Sequence, residues 1–582
     1  MTDAELLDAA VVRTWAQLAV EALGRSRTAL DGVNVFPVAD GDTGTNMYLT
    51  LREAAHALQD APSDAGGARL LRLLARGALL GARGNSGVIL SEWLRGLAVA
   101  ATRRDPLAPA LDAAARNARL AVAHPEAGTI LTAAEVAAAA ARHTAADPAV
   151  MVATAEGRQA VLDAARQGAR EAALSSVATL AALRAAGVLD AGACGLVLVL
   201  DALAAAHQAA ARTGVSVAGG TMTPVLDLDL RTRPAAAPDA GDEAVPVHLP
   251  GHPHTDPHAD QHDHQHDHAH VASAREDELE LMFVLRRPAG AGEFGPGGVA
   301  EALRADLDRV GESVVVVGGA LATDGEGADG VWQAHVHTGD LGAGLAVARR
   351  WAGVGGISNV HLRHLAVPAA GWGVVAVTSA PTLARDLARG GAVVLLDLDV
   401  RPVAADIAQA ALGAGTGKVI VLPGPVADAA AGVPAALASR LDQARDGDDP
   451  EVVVLDAHDD LRVVTAVASL AEAQADADQD AAGVAQDALG RLRTGRADAS
   501  EPASWMTALA GLVESVQEPV VVTVLVDAEV PAEVVAELEA VAAKVAPDAE
   551  VVVLPTGRAG TGIALGVEAA GSETSDTEGG VR

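Results

Sequence analysis

The sequence predicts a multidomain protein: an all-α segment first, an α+β segment in the middle and an α/β segment after it. Three observations carry that reading. Residues 1–212 are rich in alanine, with larger apolar side chains recurring at three- and four-residue steps, the period of one helix face. Residues 276–366 run strand, helix, strand, strand, helix, strand. From 367 to 568, short valine-rich runs alternate with helical stretches. A length of 582 residues accommodates about three or four units of ordinary size.

In the first segment Leu7, Val11, Trp15, Leu18 and Ala22 form one apolar stripe and predict the opening helix. Ala-rich stretches at 109–123, 132–145, 149–185 and 195–212 follow, and alanine has the highest helix propensity. Between 213 and 275 the composition shifts to Pro, Asp and His, and nine of the 18 histidines fall between His248 and His270. So little apolar area cannot offset the entropy of ordering, which predicts a disordered linker with loose affinity for Zn2+ or Ni2+.

In the middle segment the strands are expected at Glu280–Leu285, Ser313–Gly318, Val331–His337 and Ile357–Leu365. With helices at Val299–Val310 and Leu341–Trp351, the order is that of a ferredoxin-like split βαβ unit. Beyond it, runs such as Val374–Val377, Val393–Leu396, Val419–Leu422 and Val452–Leu455 predict a mostly parallel sheet. A later pair, Val520–Val526 and Val551–Leu554, brackets a helix at 531–545. Residues 475–500 read as an acidic insertion, and 569–582 as a disordered tail.

Charge narrows the function. Acidic residues number 76 against 42 basic, a net charge of −34, which repels phosphate backbones and anionic lipid. No nucleic-acid partner and no membrane insertion are expected. The start, Met1–Glu5, lacks a basic-then-apolar leader, and the apolar run Gly195–Leu200 ends at Asp201, so the expected location is the cytoplasm. Cys194 is the one cysteine, which excludes an intrachain disulfide. Lysine occurs only at Lys418 and Lys544.

The sharpest cluster of chemistry lies at residues 34–46. Asp40 and Asp42, separated by Gly41, can converge on one hard cation because glycine permits the tight turn. Thr43, Gly44 and Thr45 then offer amides and hydroxyls just before a helix near Asn46, an end that favours phosphate oxygens. The plainer alternative is an Asp-Gly turn with an N-capping Thr or Asn. A second glycine loop, Gly81–Gly87, offers Asn85 and Ser86 as donors; Glu126–Thr132 and Asp190–Gly195 are two more. His335 and His337 would share one side of a strand, able to share a metal or a catalytic task, or to pack at an interface. The run 413–419 imitates a P-loop, but Leu412 and Val419 stand where that pattern needs Gly and Ser or Thr, so it is a turn.

The words NVFPVADGDTGTNM, GARGNSGVILS, EAGTILT and LDAGACG, in series across residues 34–195, resemble the nucleotide-binding L subunit of dihydroxyacetone kinase. They are closer to its relative, bacterial fatty acid kinase, whose HVHT strand is matched at His335–Thr338. The resemblance implies an N-terminal eight-helix barrel holding ATP and Mg2+ at one end. Asp40 and Asp42 would carry the metals, with Thr43, Gly44, Thr45, Asn46, Asn85, Ser86 and Gly87 cradling the phosphates. Thr129, Asp190 and Gly192 would border the nucleotide, and Arg83 would add positive charge. The dihydroxyacetone kinase form has a third aspartate shortly upstream, where this chain has Asn34, Val35 and Phe36. In the family a cysteine on the first middle-domain strand can join the two histidines around Zn2+; here Glu278–Phe283 has none, so a carboxylate would have to replace it.

The implied activity is an ATP-dependent kinase. It would transfer the γ-phosphoryl group to a fatty acid carboxylate presented by a separate acyl-binding protein, giving acyl phosphate, with His335 and His337 as further catalytic candidates. The C-terminal segment would dock that partner, although Leu396–Pro402 and Leu422–Pro425 depart from the relatives' words there. A homodimer is compatible with this reading. The alternatives are a glycerone kinase working with a separate substrate-binding subunit, and a non-catalytic ATP-binding scaffold or metal-buffering protein.

Overall fold

The computed structural model describes residues 6–59, 61–213, 223–231, 278–288, 298–320, 329–365, 371–414, 416–441, 450–473 and 480–571. The His-rich run 248–270 and residues 572–582 of the expected tail lie outside them.

The front segment is helical throughout: α1 (Ala9–Asp31), α2 (Thr43–His56), α3 (Gly67–Gly81), α4 (Gly84–Arg103), α5 (Leu107–Ala121), α6 (Ile130–Ala145), α7 (Ala155–Thr179), α8 (Ala181–Ala186) and α9 (Ala191–Thr213). That is nine helices among the described residues, one of them only six residues long. The expected stripe is buried, Val11, Trp15, Leu18 and Ala22 on α1 and Leu7 just ahead of it, and Trp15 donates from Nε1 to the Val199 carbonyl at 3.0 Å. Small side chains let the helices approach closely. At Gly96, a Cβ would stand 2.5 Å from Ala114 Cα, so α4 and α5 touch through backbone. This is how a core with 2% aromatics fills its space. Helix α9 is long and apolar enough to cross a bilayer, yet 78% of its apolar window is buried inside the protein.

Part of the expected linker is instead docked on this segment. Leu226, Leu228 and Leu230 pack against the helical core, and Leu189 donates its amide to the Leu230 carbonyl at 3.0 Å. Three alternating leucines supply the apolar area that the rest of the linker lacks.

The middle segment contains β1 (Leu279–Arg287), α10 (Gly298–Leu307), β2 (Glu312–Ala320), β3 (Gly330–Thr338), α11 (Leu341–Ala352) and β4 (Gly356–His364). It continues into β5 (Trp372–Thr378), β6 (Ala392–Leu396), β7 (Lys418–Leu422) and β8 (Glu451–Val454). All eight strands form one sheet, ordered β2-β3-β1-β4-β6-β5-β7-β8. The boundary expected at 366/367 therefore does not separate two sheets. Strand β4 pairs antiparallel with β6, Val360 opposite Leu396 and Leu362 opposite Val394. An uncovered β4 edge would present unpaired amides and carbonyls, and β6 satisfies them. From β6 to β8 the pairing is parallel, as expected. The imitation P-loop does lead into β7, where Lys418 lies over the Trp372 ring at 4.9 Å.

A second sheet, ordered β11-β10-β12-β9, comprises β9 (Leu492–Asp498), β10 (Pro519–Val526), β11 (Glu550–Pro555) and β12 (Gly562–Ala569). Residues 475–500 are thus no insertion, since they hold a helix, Ala481–Arg491, and the edge strand β9. Leu489 and Leu492 are buried there, an apolar contribution that the surrounding acidic composition concealed.

Alternation along the strands sets the functional geometry. One face of β1 and β3 buries Leu281, Phe283, Ala334 and Val336 under α10 and α11. The opposite face presents Met282, Val284 and Val331 to Leu79, Ala82 and Val88 of the helical segment. Polar ties flank that contact: Gln333 Nε2 donates to the Ala82 carbonyl at 2.9 Å, and the Gly318 amide donates to Glu92 Oε1 at 3.0 Å.

Candidate functional site at the domain junction

The turn from α1 into α2 is tied from behind. Asp31 accepts from the Thr45 amide at 2.9 Å and from Thr45 Oγ1 at 2.7 Å. This capping work is done by Asp31, not by Thr43 or Asn46, and the Asp42 side chain makes no cap bond. Gly44 allows the close approach, because a Cβ there would lie 2.4 Å from the Arg27 carbonyl oxygen. Gly41, at φ +66, turns the chain between the two acids. Asn34 Nδ2 donates to Asp40 Oδ1 at 2.5 Å.

The second glycine loop meets this turn directly. Thr43 Oγ1 and Ser86 Oγ are 3.2 Å apart, and Gly84, at φ +49, leaves room for the Asn46 amide. Gly87 serves packing: a Cβ there would sit 2.2 Å from Thr50 Oγ1, so it spaces α4 on α2. Arg83 also departs from expectation. Its Nη2 donates to the Gln409 carbonyl at 2.5 Å, which turns the guanidinium toward the large-sheet segment.

The sheet supplies the other wall. Asn34, Asp40, Asp42, Thr43, Asn46, Asn85, Ser86, Glu280, His335 and His337 line one narrow cleft. Glu280 on β1 pairs across strands with both His337 on β3 and Arg363 on β4. Arg363 Nε donates to Glu280 Oε2 at 2.8 Å, while its Nη2 donates to Asp42 Oδ2 at 2.5 Å and lies 3.7 Å from Asp40 Oδ2. The ligand atoms of Glu280, His335 and His337 all lie within 4.8 Å of one another. His335 Nδ1 is 3.3 Å from Glu280 Oε1. Among the described residues, neither His335 nitrogen, nor His337 Nδ1, nor Asn85 Oδ1 has a hydrogen-bond partner.

Burial and like charge govern the electrostatics. Burial, reinforced by the neighbouring Asp42 carboxylate, pushes the Asp40 carboxyl up to about 8. For Glu280, burial alone would raise the carboxyl, but Arg363 and the two imidazoles outweigh it and hold it at about 2. Burial lowers His335 to about 3 and His337 to about 4, so both rings are neutral near pH 7. A metal requires imidazole in that form.

Thr129, Asp190 and Gly192 do not line this cleft. They build a separate joint between α6 and α9. Thr129 caps α6, and Asp190 Oδ1 accepts from the Ala193 amide at 2.7 Å. Burial raises the Asp190 carboxyl to about 7. Arg363 and Asp31 were missed by sequence reasoning. An arginine on a strand otherwise expected to be buried was the available signal for the first; Asp31, at the end of an amphipathic helix, offered none.

Residues 37–205 match the family model of the DAK2 domain. The chain is 35% identical over 224 residues to Protein YloV of Bacillus subtilis (strain 168), covering 37% of this chain and 38% of that one. Over 184 residues it is 35% identical to Uncharacterized protein SH1689 of Staphylococcus haemolyticus (strain JCSC1435), covering 31% and 32%. The chain thus spans about a third of the length of these curated relatives. Among solved structures it is similar to the dihydroxyacetone kinase from C. freundii in complex with AMP-PNP and Mg2+ (TM-score 0.27, 23% identity, 35% of each chain). It is also similar to the DegV family protein Cg2579 from Corynebacterium glutamicum, at TM-score 0.26 and 13% identity over 35% of this chain and 99% of that one.

Proposed function

We propose that the chain is an ATP-dependent kinase that phosphorylates a fatty acid carboxylate presented by a separate acyl-binding protein, acting in the cytoplasm. The observation that carries this reading is the contact of Asp40 and Asp42 at the start of α2, facing a cleft with Thr43, Asn46, Asn85 and Ser86. The match of residues 37–205 to the DAK2 domain supports it.

The acidic pair fits Mg2+. Two hard oxygen donors are pressed together, and the raised Asp40 carboxyl registers charge that a divalent cation would neutralise. Asp40 and Asp42 would hold it, and when bound it supplies charge neutralisation on the ATP phosphates. The chain's own groups do the rest. Asn34 orients Asp40, the Thr43 and Ser86 hydroxyls and the Asn85 amide line the phosphate path, and α2 and α4 both begin at the cleft, where amides favour anions. An acceptor carboxylate oxygen attacks the γ-phosphorus, the bond to the β–γ bridging oxygen breaks, and its electron pair leaves with ADP. Positioning supplies most of the acceleration.

The neighbouring imidazoles favour a carboxylate acceptor over a triose hydroxyl. Held at about 3 and 4, His335 and His337 are too weakly basic to take a hydroxyl proton, whereas an ionised carboxylate needs no base. Their unpartnered nitrogens, with Glu280, instead form a donor set that fits Zn2+, the carboxylate replacing the family's cysteine. Elemental analysis checks this part. Wild-type protein is expected to retain about one tightly held Zn2+ per chain through dialysis. A His335→Ala/His337→Ala protein should lose it while keeping any weak binding at 248–270; equal zinc content in both would refute the assignment.

The reaction is tested by ATP consumption with fatty acid-loaded carrier proteins, trapping acyl phosphate as its hydroxamate, alongside triose with candidate partner subunits. Turnover with triose alone would favour the glycerone kinase reading. No turnover, and no binding of Mg2+–AMP-PNP, would favour the scaffold.

A further inference from the structure

We propose that Arg363 is a phosphate-binding catalytic residue delivered to the nucleotide site by the large sheet, and that in the ligand-free chain it occupies the carboxylates which the metal takes over. The proposal rests on the reading of Asp40 and Asp42 as a Mg2+–nucleotide site.

The side chain has two functional ends. Its Nε is anchored within its own sheet by Glu280 Oε2 at 2.8 Å, the cross-strand neighbour on β1. Its Nη2 reaches over the domain junction to Asp42 at 2.5 Å and toward Asp40 at 3.7 Å. The side chain keeps 32% exposure even though its charged end is tied to three acidic side chains, so it is not wholly sealed between the domains.

Charge decides what happens when ligand arrives. Three acidic side chains, Asp40, Asp42 and Glu280, surround this one guanidinium. A divalent cation on Asp40 and Asp42 removes the attraction at Nη2 and repels it, while Glu280 still holds Nε. The guanidinium then swings on a short tether, and the nearest uncompensated anion is the terminal phosphate, whose oxygens match its forked donors. The helical segment has no lysine for that task, and Arg83 is turned to the Gln409 carbonyl. A site divided in this way is complete only when both segments are in register.

Full-length Arg363→Ala and Arg363→Lys proteins test this, with folding checked by circular dichroism and thermal melting. Mg2+ alone, titrated calorimetrically, is expected to bind Arg363→Ala about tenfold more tightly than wild type, because the resident cation is gone. Turnover of the same variant should fall by about 10^3-fold, with Arg363→Lys intermediate in both readouts. Lost turnover with unchanged Mg2+ affinity, or tighter Mg2+ binding with intact turnover, overturns the proposal. Wild-type protein that takes up no Mg2+ even with AMP-PNP would instead overturn the acidic-pair reading itself, a failure distinct from wild type and variant binding alike.

Discussion

Asp40→Asn is expected to lower phosphoryl transfer by about 10^3-fold or more while making the metal-free protein more heat-stable. The first effect follows from losing one of two anionic donors, since charge stabilisation by a held cation accounts for several kcal/mol and about 1.4 kcal/mol is tenfold. The second follows from the pH linkage of the Asp40 carboxyl, which is pushed from 3.8 to about 8 by burial and by Asp42. Between those values the folded chain holds a proton that the unfolded chain has released. Stability contributed by this group is therefore greatest at low pH and falls as pH rises through the window. The amide carries no charge to desolvate and can still accept from Asn34. In metal-free buffer near pH 8 its melting temperature should exceed that of wild type by about 2–5 °C. The gap should narrow toward pH 5, and Mg2+ should raise wild type more than the variant. Full activity in Asp40→Asn would contradict the first half of the argument, and a lower melting temperature at pH 8 the second.

Gly44→Ala is expected to destabilise the helical segment by about 1–3 kcal/mol, the usual cost of forcing a methyl into occupied space. The new Cβ would meet the Arg27 carbonyl oxygen at 2.4 Å and Leu30 Cβ at 2.8 Å, both on the body of α1. Backbone cannot swing aside as a long side chain can, so α2 must shift. Asp42 and Thr43 move with it, and AMP-PNP affinity should fall together with stability. Gly490→Ala is the matched control. Nothing lies within 4 Å of its Cβ, and in a helix the substitution should be neutral or stabilising. Equal denaturation midpoints for the two variants would show that α1 and α2 are not locked at Gly44.

The parts of the site that were legible in sequence are those made by residues close along the chain. Asp40-Gly41-Asp42 and the start of α2 follow from a turn, a positive-φ glycine and a helix end. The same locality placed Asn85 and Ser86 at the start of α4. Thr129, Asp190 and Gly192 look alike in sequence, since glycine, threonine and aspartate at a helix start serve packing and ligand binding equally well. The structure places them in a joint between α6 and α9 and not among the residues that line the cleft. The boundary at 366/367 failed for a related reason. The composition between two strands does not record whether the next strand opens a new sheet or extends the old one; the pairing of β4 with β6 does.

By itself, the sequence determined the helical first segment, the strand-and-helix order of the second, and an acidic pair beside phosphate-favouring loops, because each depends on local period, turn chemistry and helix ends. Tertiary structure alone decided which cation meets that pair. Arg363 lies 321 positions from Asp42 along the chain, and only the antiparallel register of β4 against β1, with that sheet pressed onto the helices, brings its guanidinium across. A one-residue slip would turn Arg363 to the opposite face of the sheet, and no local pattern records which face meets the helices.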